Sequence, residues 1–187
     1  MTLSTEAVGI GPAVGHRKLY DRLVERYHAR VYDYLCWLGR DEALAADLTA
    51  ETFLRLWQHP PDPHRQASER AYVLRIALNQ YRQHLRRPEV ESVQGDDAVE
   101  GVVDAADSPP VALEREELRR GVRWAVERLP ETCRAVVLLH SLQGLTLTEV
   151  AEALEIPVGT AKSRLAAAFA ILRQSLGQWK EQGDAVR

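Results

Sequence analysis

Residues 146–173, TLTEVAEALEIPVGTAKSRLAAAFAILR, decide how the rest of the chain is read. Thr146 and Glu149 have the spacing of a capping box, in which a Thr hydroxyl takes one orphan amide and a Glu three residues on reaches back to the cap. Val150, Ala151 and Leu154 follow at helical spacing. Pro157 cannot continue that helix, yet its fixed φ suits the entrance to the next one. The second helix begins near Val158 and puts Ala161, Leu165, Ala168, Ile171 and Leu172 on one face. Thr160, Lys162, Ser163 and Arg164 stand on or near the other. Two short helices joined by a tight turn, the second opening with polar and basic side chains, describe a helix-turn-helix. Such a second helix can enter the major groove of a duplex. An ordinary helical hairpin with a solvated basic face fits the same spacing, and spacing by itself leaves both readings standing.

The whole chain bounds the possibilities. Its 187 residues allow one medium domain or two small ones. A hydrophobic content of 45% with 27% charged residues is that of a globular protein. The net charge of -3 argues against a free-standing protein that coats nucleic acid nonspecifically. The charge is uneven, however. Between Pro88 and Pro109 stand Glu89, Glu91, Asp96, Asp97, Glu100, Asp104 and Asp107 with no Lys or Arg, so the remainder is mildly basic and compatible with a polyanion.

Chemistry of the chain's own is not expected. Cys36 and Cys133 sit among apolar helical neighbours and read as buried free thiols. His16, His28, His59, His64, His84 and His140 never reach metal-ligand spacing or a nucleophile arrangement, and no glycine-rich phosphate loop occurs. No enzyme, metal or cofactor follows. The opening MTLSTEAVGIGPAVG lacks a basic leader and apolar core, and no apolar run is long enough to span a bilayer, so a cytoplasmic protein without membrane insertion is expected.

In order, residues 1–15 read as a mobile extension. Leu19, Leu23, Tyr27, Val31, Tyr34, Leu35 and Leu38 then form one apolar helical stripe, with Gly39 as a left-handed stop. A helix over residues 41–58 follows, opened by Asp41 and Glu42. Leu44, Leu48, Phe53, Leu56 and Trp57 supply its core face, while Asp47, Glu51 and Arg55 form an i, i+4 ladder elsewhere. That ladder is either a solvated stripe or a partner-facing surface with Leu54 and part of Trp57 as anchors. Three prolines interrupt residues 59–65. A helix over residues 66–86 carries Val73, Ile76, Ala77 and Leu85 inward. Arg70, Arg75, Arg82, Arg86 and Arg87 are interleaved there with Tyr72, Asn79 and Tyr81, which fits a single-strand binder or a soluble helix over its own core. Residues 88–110 form a flexible acidic linker, and helices over 111–129 and 131–142 precede the helix-turn-helix. Gly144 closes the latter, and the tail frays after Trp179. The fold class is all-α: two small helical domains, 16–87 and 111–179, joined by the linker, with residues 180–187 as a tail.

The residues now resemble a known family. Ala46-Asp-Leu-Thr-Ala-Glu-Thr-Phe-Leu-Arg-Leu-Trp57 is similar to the polymerase-binding helix of the sigma-factor family, in particular its extracytoplasmic-function (group IV) members. Leu19-Tyr20, Tyr27, Val31-Tyr32 and Tyr34-Leu35 resemble that family's opening helix; Arg75-Ile-Ala-Leu-Asn79 with Leu85-Arg-Arg87 resembles the helix used on melted promoter DNA. Leu129-Pro130, Arg134, Gly144-Leu145, Glu149-Val-Ala-Glu152, Ile156-Pro157 and Gly159-Thr-Ala-Lys-Ser-Arg164 resemble the other DNA-binding domain. Both domains are present in the family's order.

The resemblance implies an alternative sigma factor. Such a protein binds core RNA polymerase through clamp and flap regions, recognises and melts promoter DNA, and starts transcription. It implies polymerase contacts at Asp47, Leu48, Glu51, Leu54, Arg55 and Trp57. It implies minus-ten contacts at Tyr72, Arg75, Asn79, Arg82, Arg86 and Arg87, and minus-thirty-five contacts at Thr160, Lys162, Ser163 and Arg164. An anti-sigma factor as partner, a monomer when free and nucleoid association in the holoenzyme are implied as well. Departures from the family pattern are Ala50 for Gln, Leu78 for Arg, Gln83 for Asp, Tyr72 for Trp, and Ala166-Ala-Ala-Phe169 where basic residues are usual. These thinned basic positions motivate the alternative of a sigma-like decoy or adaptor that binds a regulatory protein. An independent helix-turn-helix repressor would leave residues 47–57 and the arginine helix unused.

Overall fold

A computed structural model describes residues 14–62, 68–86 and 109–184. The predicted N-terminal extension (but for its last two residues), most of the acidic linker, Arg87 and part of the proline loop lie outside them. The first three helices are α1 (Val14–Gly39), α2 (Glu42–Gln58) and α3 (Glu69–Leu85). The next two are α4 (Pro109–Glu127) and α5 (Glu131–Val137), the latter running on as a π-helical turn over Leu138–Leu142. Last come α6 (Leu147–Leu154) and α7 (Val158–Asp184). No strand occurs among the described residues, and the all-α expectation holds.

The first three helices assemble because each carries one apolar face. Leu23, Tyr27, Val31, Tyr34, Leu35 and Leu38 of α1 are buried against Leu48, Phe53 and Leu56 of α2 and Val73, Leu74, Ala77 and Leu78 of α3. Asp41 caps α2 by accepting from the Leu44 amide at 3.0 Å, and Ser68 caps α3 at Ala71. Thr49 and Thr52 are buried in α2, and their hydroxyls donate to the carbonyls of Ala45 and Leu48, both at 2.7 Å, so neither polar group is orphaned. Leu85, predicted to face inward, is instead 54% exposed at the last turn of α3, where the core has already ended.

The left-handed stop after α1 falls one residue late. Gly39 is helical, and Arg40 carries the positive φ of 64°. The glycine answers a different need: a Cβ on it would lie 3.3 Å from Tyr81 Cε2, so its missing side chain admits the ring. The Tyr81 hydroxyl in turn donates to the Leu38 carbonyl at 3.0 Å and satisfies the end of α1.

The second group is built around α5, α6 and α7. Cys133, Ala135, Val136, Val137, Leu138 and Leu139 are buried beneath Val150, Ala151, Leu154, Ala161, Leu165 and Ala168. The Gln143 amide reaches the Leu138 carbonyl at 2.9 Å, five residues back, which marks the π turn. Gly144 ends it at φ 67°, as its residue type predicts. Both halves of the capping box at Thr146 and Glu149 are made. Helix α6 ends on Glu155 in the left-handed region at φ 55°. Helix α7 then continues to Asp184, beyond the point where the sequence was expected to fray. Gly121 of α4 is packed so closely beneath α7 that a Cβ there would stand 2.8 Å from Trp179 Nε1.

The two groups are docked. Their buried side chains form one connected apolar cluster, with α3 lying against α6 and α1 against the π turn. Both cysteines are free and buried.

Candidate functional site

Most of the predicted partner face of α2 is exposed. Asp47, Glu51, Leu54 and Arg55 are exposed, Leu54 to 57%. Leu48 is not part of that surface in the same sense, because it is 4% exposed. It forms, with Leu44, the apolar floor of a groove whose walls are Asp47 and Glu51 on one side and Gln80, Gln83 and His84 of α3 on the other. The α3 wall was missed in sequence because it is non-local; only the packing of α2 on α3 brings it there. Trp57 is half-buried, its ring met edge-on by His16 and Tyr20 with centroids 4.9 Å away in both cases. It is therefore a support at the end of the face. The groove carries two carboxylates over an aliphatic floor, the arrangement that suits a long basic side chain with an apolar stem.

The predicted single-strand face of α3 is also one surface. At roughly 100° per residue, Tyr72, Asn79, Arg86, Arg75 and Arg82 fall within an arc of about 80°. Asn79 and Arg86 are exposed, while Tyr72, Arg75 and Arg82 are half-buried. The Tyr72 hydroxyl donates to the His59 carbonyl at 2.8 Å, and its ring lies 5.1 Å from the Arg75 guanidinium carbon. Tyr72 thus ties the end of α2 to the start of this face, and its hydroxyl is a polar handle that a Trp in its place would carry differently. Leu78, where the family more often has Arg, is completely buried. That departure fills core and takes no side chain away from the exposed arc. Gln83 is exposed on the groove wall.

The predicted reading edge of the helix-turn-helix opens to solvent at the start of α7. Lys162 and Ser163 are exposed, and Thr160 and Arg164 are half-buried. The Ser163 hydroxyl donates to the Thr160 carbonyl at 3.0 Å. One turn on, Ala166, Ala167, Phe169 and Ala170 are exposed, Phe169 to 44%. This turn offers no charge to a phosphate.

At the seam where the two groups meet, polar contacts accompany the apolar cluster they share. Arg70 of α3 donates to the carbonyls of Gln143 at 3.2 Å and Gly144 at 3.0 Å, and to Glu149 at 3.3 Å. Arg75 pairs with Glu155 at 3.3 Å and Arg82 with Glu131 at 3.6 Å. Arg40 pairs with Glu127 at 3.0 Å, and Gln143 donates to the Arg30 carbonyl at 3.1 Å. Arg134 caps the end of α4 through the Glu127 and Leu129 carbonyls and also reaches Leu38 across the seam at 3.5 Å. Partial burial pushes the Glu149 carboxyl up, but hydrogen bonds from Ser68 and from the Thr146 amide and hydroxyl, with the Arg70 charge, outweigh it and hold the group at about 2. No cluster of metal-ligating side chains and no helix long and apolar enough to cross a membrane occurs among the described residues.

Comparison with known proteins agrees with this division. The family profile described as Sigma-70 region 2 matches residues 23–89, and that described as Sigma-70, region 4 matches residues 120–172. The chain is 28% identical over 159 residues to the RNA polymerase sigma-H factor of Pseudomonas aeruginosa, covering 81% of this chain and 82% of that one. It is 28% identical over 160 residues to the ECF RNA polymerase sigma-E factor of Haemophilus influenzae, covering 81% and 84%. The co-crystal structure of the sigma factor RpoE in complex with the anti-sigma factor NepR from Bartonella quintana matches with a TM-score of 0.64 at 18% identity, over 84% of this chain and 96% of that one, a likeness of fold.

Proposed function

The chain belongs to the sigma-70 family of RNA polymerase sigma factors, in its extracytoplasmic-function group, and from that membership we propose how its surfaces divide the work. It is an alternative sigma factor: it binds RNA polymerase and directs it to promoter DNA for transcription initiation. The observation that carries this is a region 2 and a region 4 in one chain and in that order.

In our reading the groove and ridge of α2 meet the polymerase clamp. Asp47 and Glu51 pair with basic side chains there, fixing register and on-rate, while Leu54 adds apolar contact beside Arg55. Leu48 and Trp57 hold that face from below. Residues 16–87 form the unit that captures minus-ten bases: Asn79 reads, Tyr72 stacks or supports, and Arg75, Arg82, Arg86 and Arg87 hold phosphates. Residues 111–179 dock on the polymerase flap and read the minus-thirty-five element as duplex through Thr160, Lys162, Ser163 and Arg164. Lys162 and Arg164 serve as base readers or phosphate clamps. The protein carries out no chemistry itself, works in the cytoplasm beside the nucleoid as a monomer until it joins polymerase, and is held by an anti-sigma factor, a partner that the Bartonella co-crystal structure supports by analogy.

The test is run-off transcription with purified core RNA polymerase on a library of genomic fragments. Discrete starts that share two spaced elements are expected. Polymerase binding without any transcript, or no binding, would overturn the assignment.

A further inference from the structure

The groove between α2 and α3 holds polar groups that the fold itself does not use. Asp47 and Glu51 stand one turn apart on its α2 wall, about 6 Å along the axis. Neither makes an ion pair among the described residues, and Arg55, one turn beyond Glu51, does not close on it. On the facing wall Gln80 is 4% exposed, yet its side-chain amide has no hydrogen-bond partner among the described residues. A buried amide left unsatisfied is an exception in native structures. The Tyr34 hydroxyl is another, but that one is sealed in the core, whereas Gln80 lines the groove.

Size and chemistry narrow the occupant. The cavity is about 250 Å³, below the roughly 300–1,000 Å³ of pockets that take whole small molecules. It suits one side chain entering over Leu44 and Leu48. The carboxylates on one wall call for a cation, and the amides of Gln80 and Gln83 on the other offer carbonyl oxygens. A guanidinium carries five N–H donors in a rigid plane, enough to meet a carboxylate on one side and an amide oxygen on the other at once. An ammonium is a compact, strongly hydrated point charge with three donors. It pairs with carboxylates well but gains less from the amide wall.

We propose that Gln80 is a partner-contact residue, and that the groove it completes takes one arginine side chain of the polymerase in preference to a lysine. The guanidinium lies between the Asp47 and Glu51 carboxylates and the Gln80 amide. This rests on the reading above in which α2 meets polymerase. Partner contact is then shared by two helices, α2 supplying charge and α3 supplying selectivity. The α3 share comes from a face about 100° round the helix from Asn79, so one helix serves polymerase and DNA on different sides.

Two measurements on the full chain test it. Core polymerase is titrated with labelled wild type, with Gln80→Met, and with Asp47→Ala and Glu51→Ala together. Methionine is close to glutamine in length and packs without a polar group, so a merely structural Gln80 would leave polymerase binding unchanged. The expected result is binding weakened by about 10-fold, with a urea midpoint no lower than that of wild type. In the second measurement the Gln80 side-chain amide resonance of isotope-labelled wild type is followed as butylguanidinium or pentylammonium is added. The guanidinium is expected to shift it at concentrations at least about 5-fold lower than the ammonium. Polymerase binding by Gln80→Met equal to wild type would overturn the proposal. So would equal shifts by the two cations, or no shift by either. The resonance titration needs no variant and decides the matter if Gln80→Met fails to fold. The double variant separates the failures. If it loses polymerase and Gln80→Met does not, only the role of Gln80 falls. If neither loses polymerase, the assignment of the groove to that partner falls as well.

Discussion

Arg70 and Glu149 meet 3.3 Å apart across the seam, on the same carboxylate oxygen, Oε2, that accepts the Thr146 amide at 2.8 Å. One atom therefore closes the N-terminus of α6 and also ties that helix to α3. The formation of the helix-turn-helix and the docking of the two groups are coupled through it.

That coupling is measurable. Thr146→Ala is expected to cost about 1 kcal/mol as a lost cap. Arg70→Ala removes its bonds to Gln143, Gly144 and Glu149, for a similar cost of about 1 kcal/mol. A double-mutant cycle by urea unfolding should then show non-additivity of at least about 0.5 kcal/mol. Simple addition would mean that the shared oxygen couples nothing.

Acid should act at the same place. The Glu149 carboxyl lies at about 2 in the folded chain against an ordinary value of 4.5. A depressed folded value stabilises the protein fully above 4.5 and loses that contribution as pH falls toward 2. The stability difference between wild type and Glu149→Gln should therefore be constant near neutrality and shrink below pH 4.5. A difference that holds flat down to pH 2 would contradict the assignment.

On α2, Asp47→Ala with Glu51→Ala should weaken binding to core polymerase by at least about 10-fold. Unfolding free energy should stay within about 0.5 kcal/mol of wild type, since both carboxylates are exposed. Titration of labelled variant against core enzyme reads the first, and urea unfolding the second.

For α7, Lys162→Ala and Arg164→Ala should each lower duplex affinity. If both hold phosphates, the slope of log affinity against log salt falls by about 1 for each. A lost preference for the promoter sequence with an unchanged slope would instead make them base readers.

Gly121→Ala tests the packing of α4 on α7. The added methyl would stand 2.8 Å from Trp179 Nε1, so the indole must move. That displacement breaks its tilted contact with Trp124, now 5.6 Å between centroids. Alanine is a better helix former than glycine by about 1 kcal/mol, which offsets part of the strain. A changed tryptophan emission with a small change in stability is the expected result; unaltered emission would show that the gap is wider than it looks.

What the sequence made legible was whatever lives on one helix. The apolar stripes of α1 and α7, the capping box at Thr146, and the shared arc of Tyr72, Arg75, Asn79 and Arg82 follow from spacing. The misses were contacts between helices. The role of Gly39 is set by Tyr81, 42 positions away in sequence, and so it read as a stop. Leu78 read as a lost basic residue because nothing local says that α3 is covered on several sides. The π turn over Leu138–Leu142 carries no mark in a run of leucines; it shows only in the bond from Gln143 to Leu138. Arg70 and Glu149 were both visible singly, but not their meeting.

The Ser163 hydroxyl is exposed and donates to the Thr160 carbonyl. While that bond holds, what it offers a partner is lone pairs. A phosphate, itself an acceptor, gains nothing from it. The exocyclic amino groups of adenine and cytosine do. If the start of α7 reads duplex as proposed, Ser163 adds acceptor lone pairs between two side chains, Lys162 and Arg164, that can only donate.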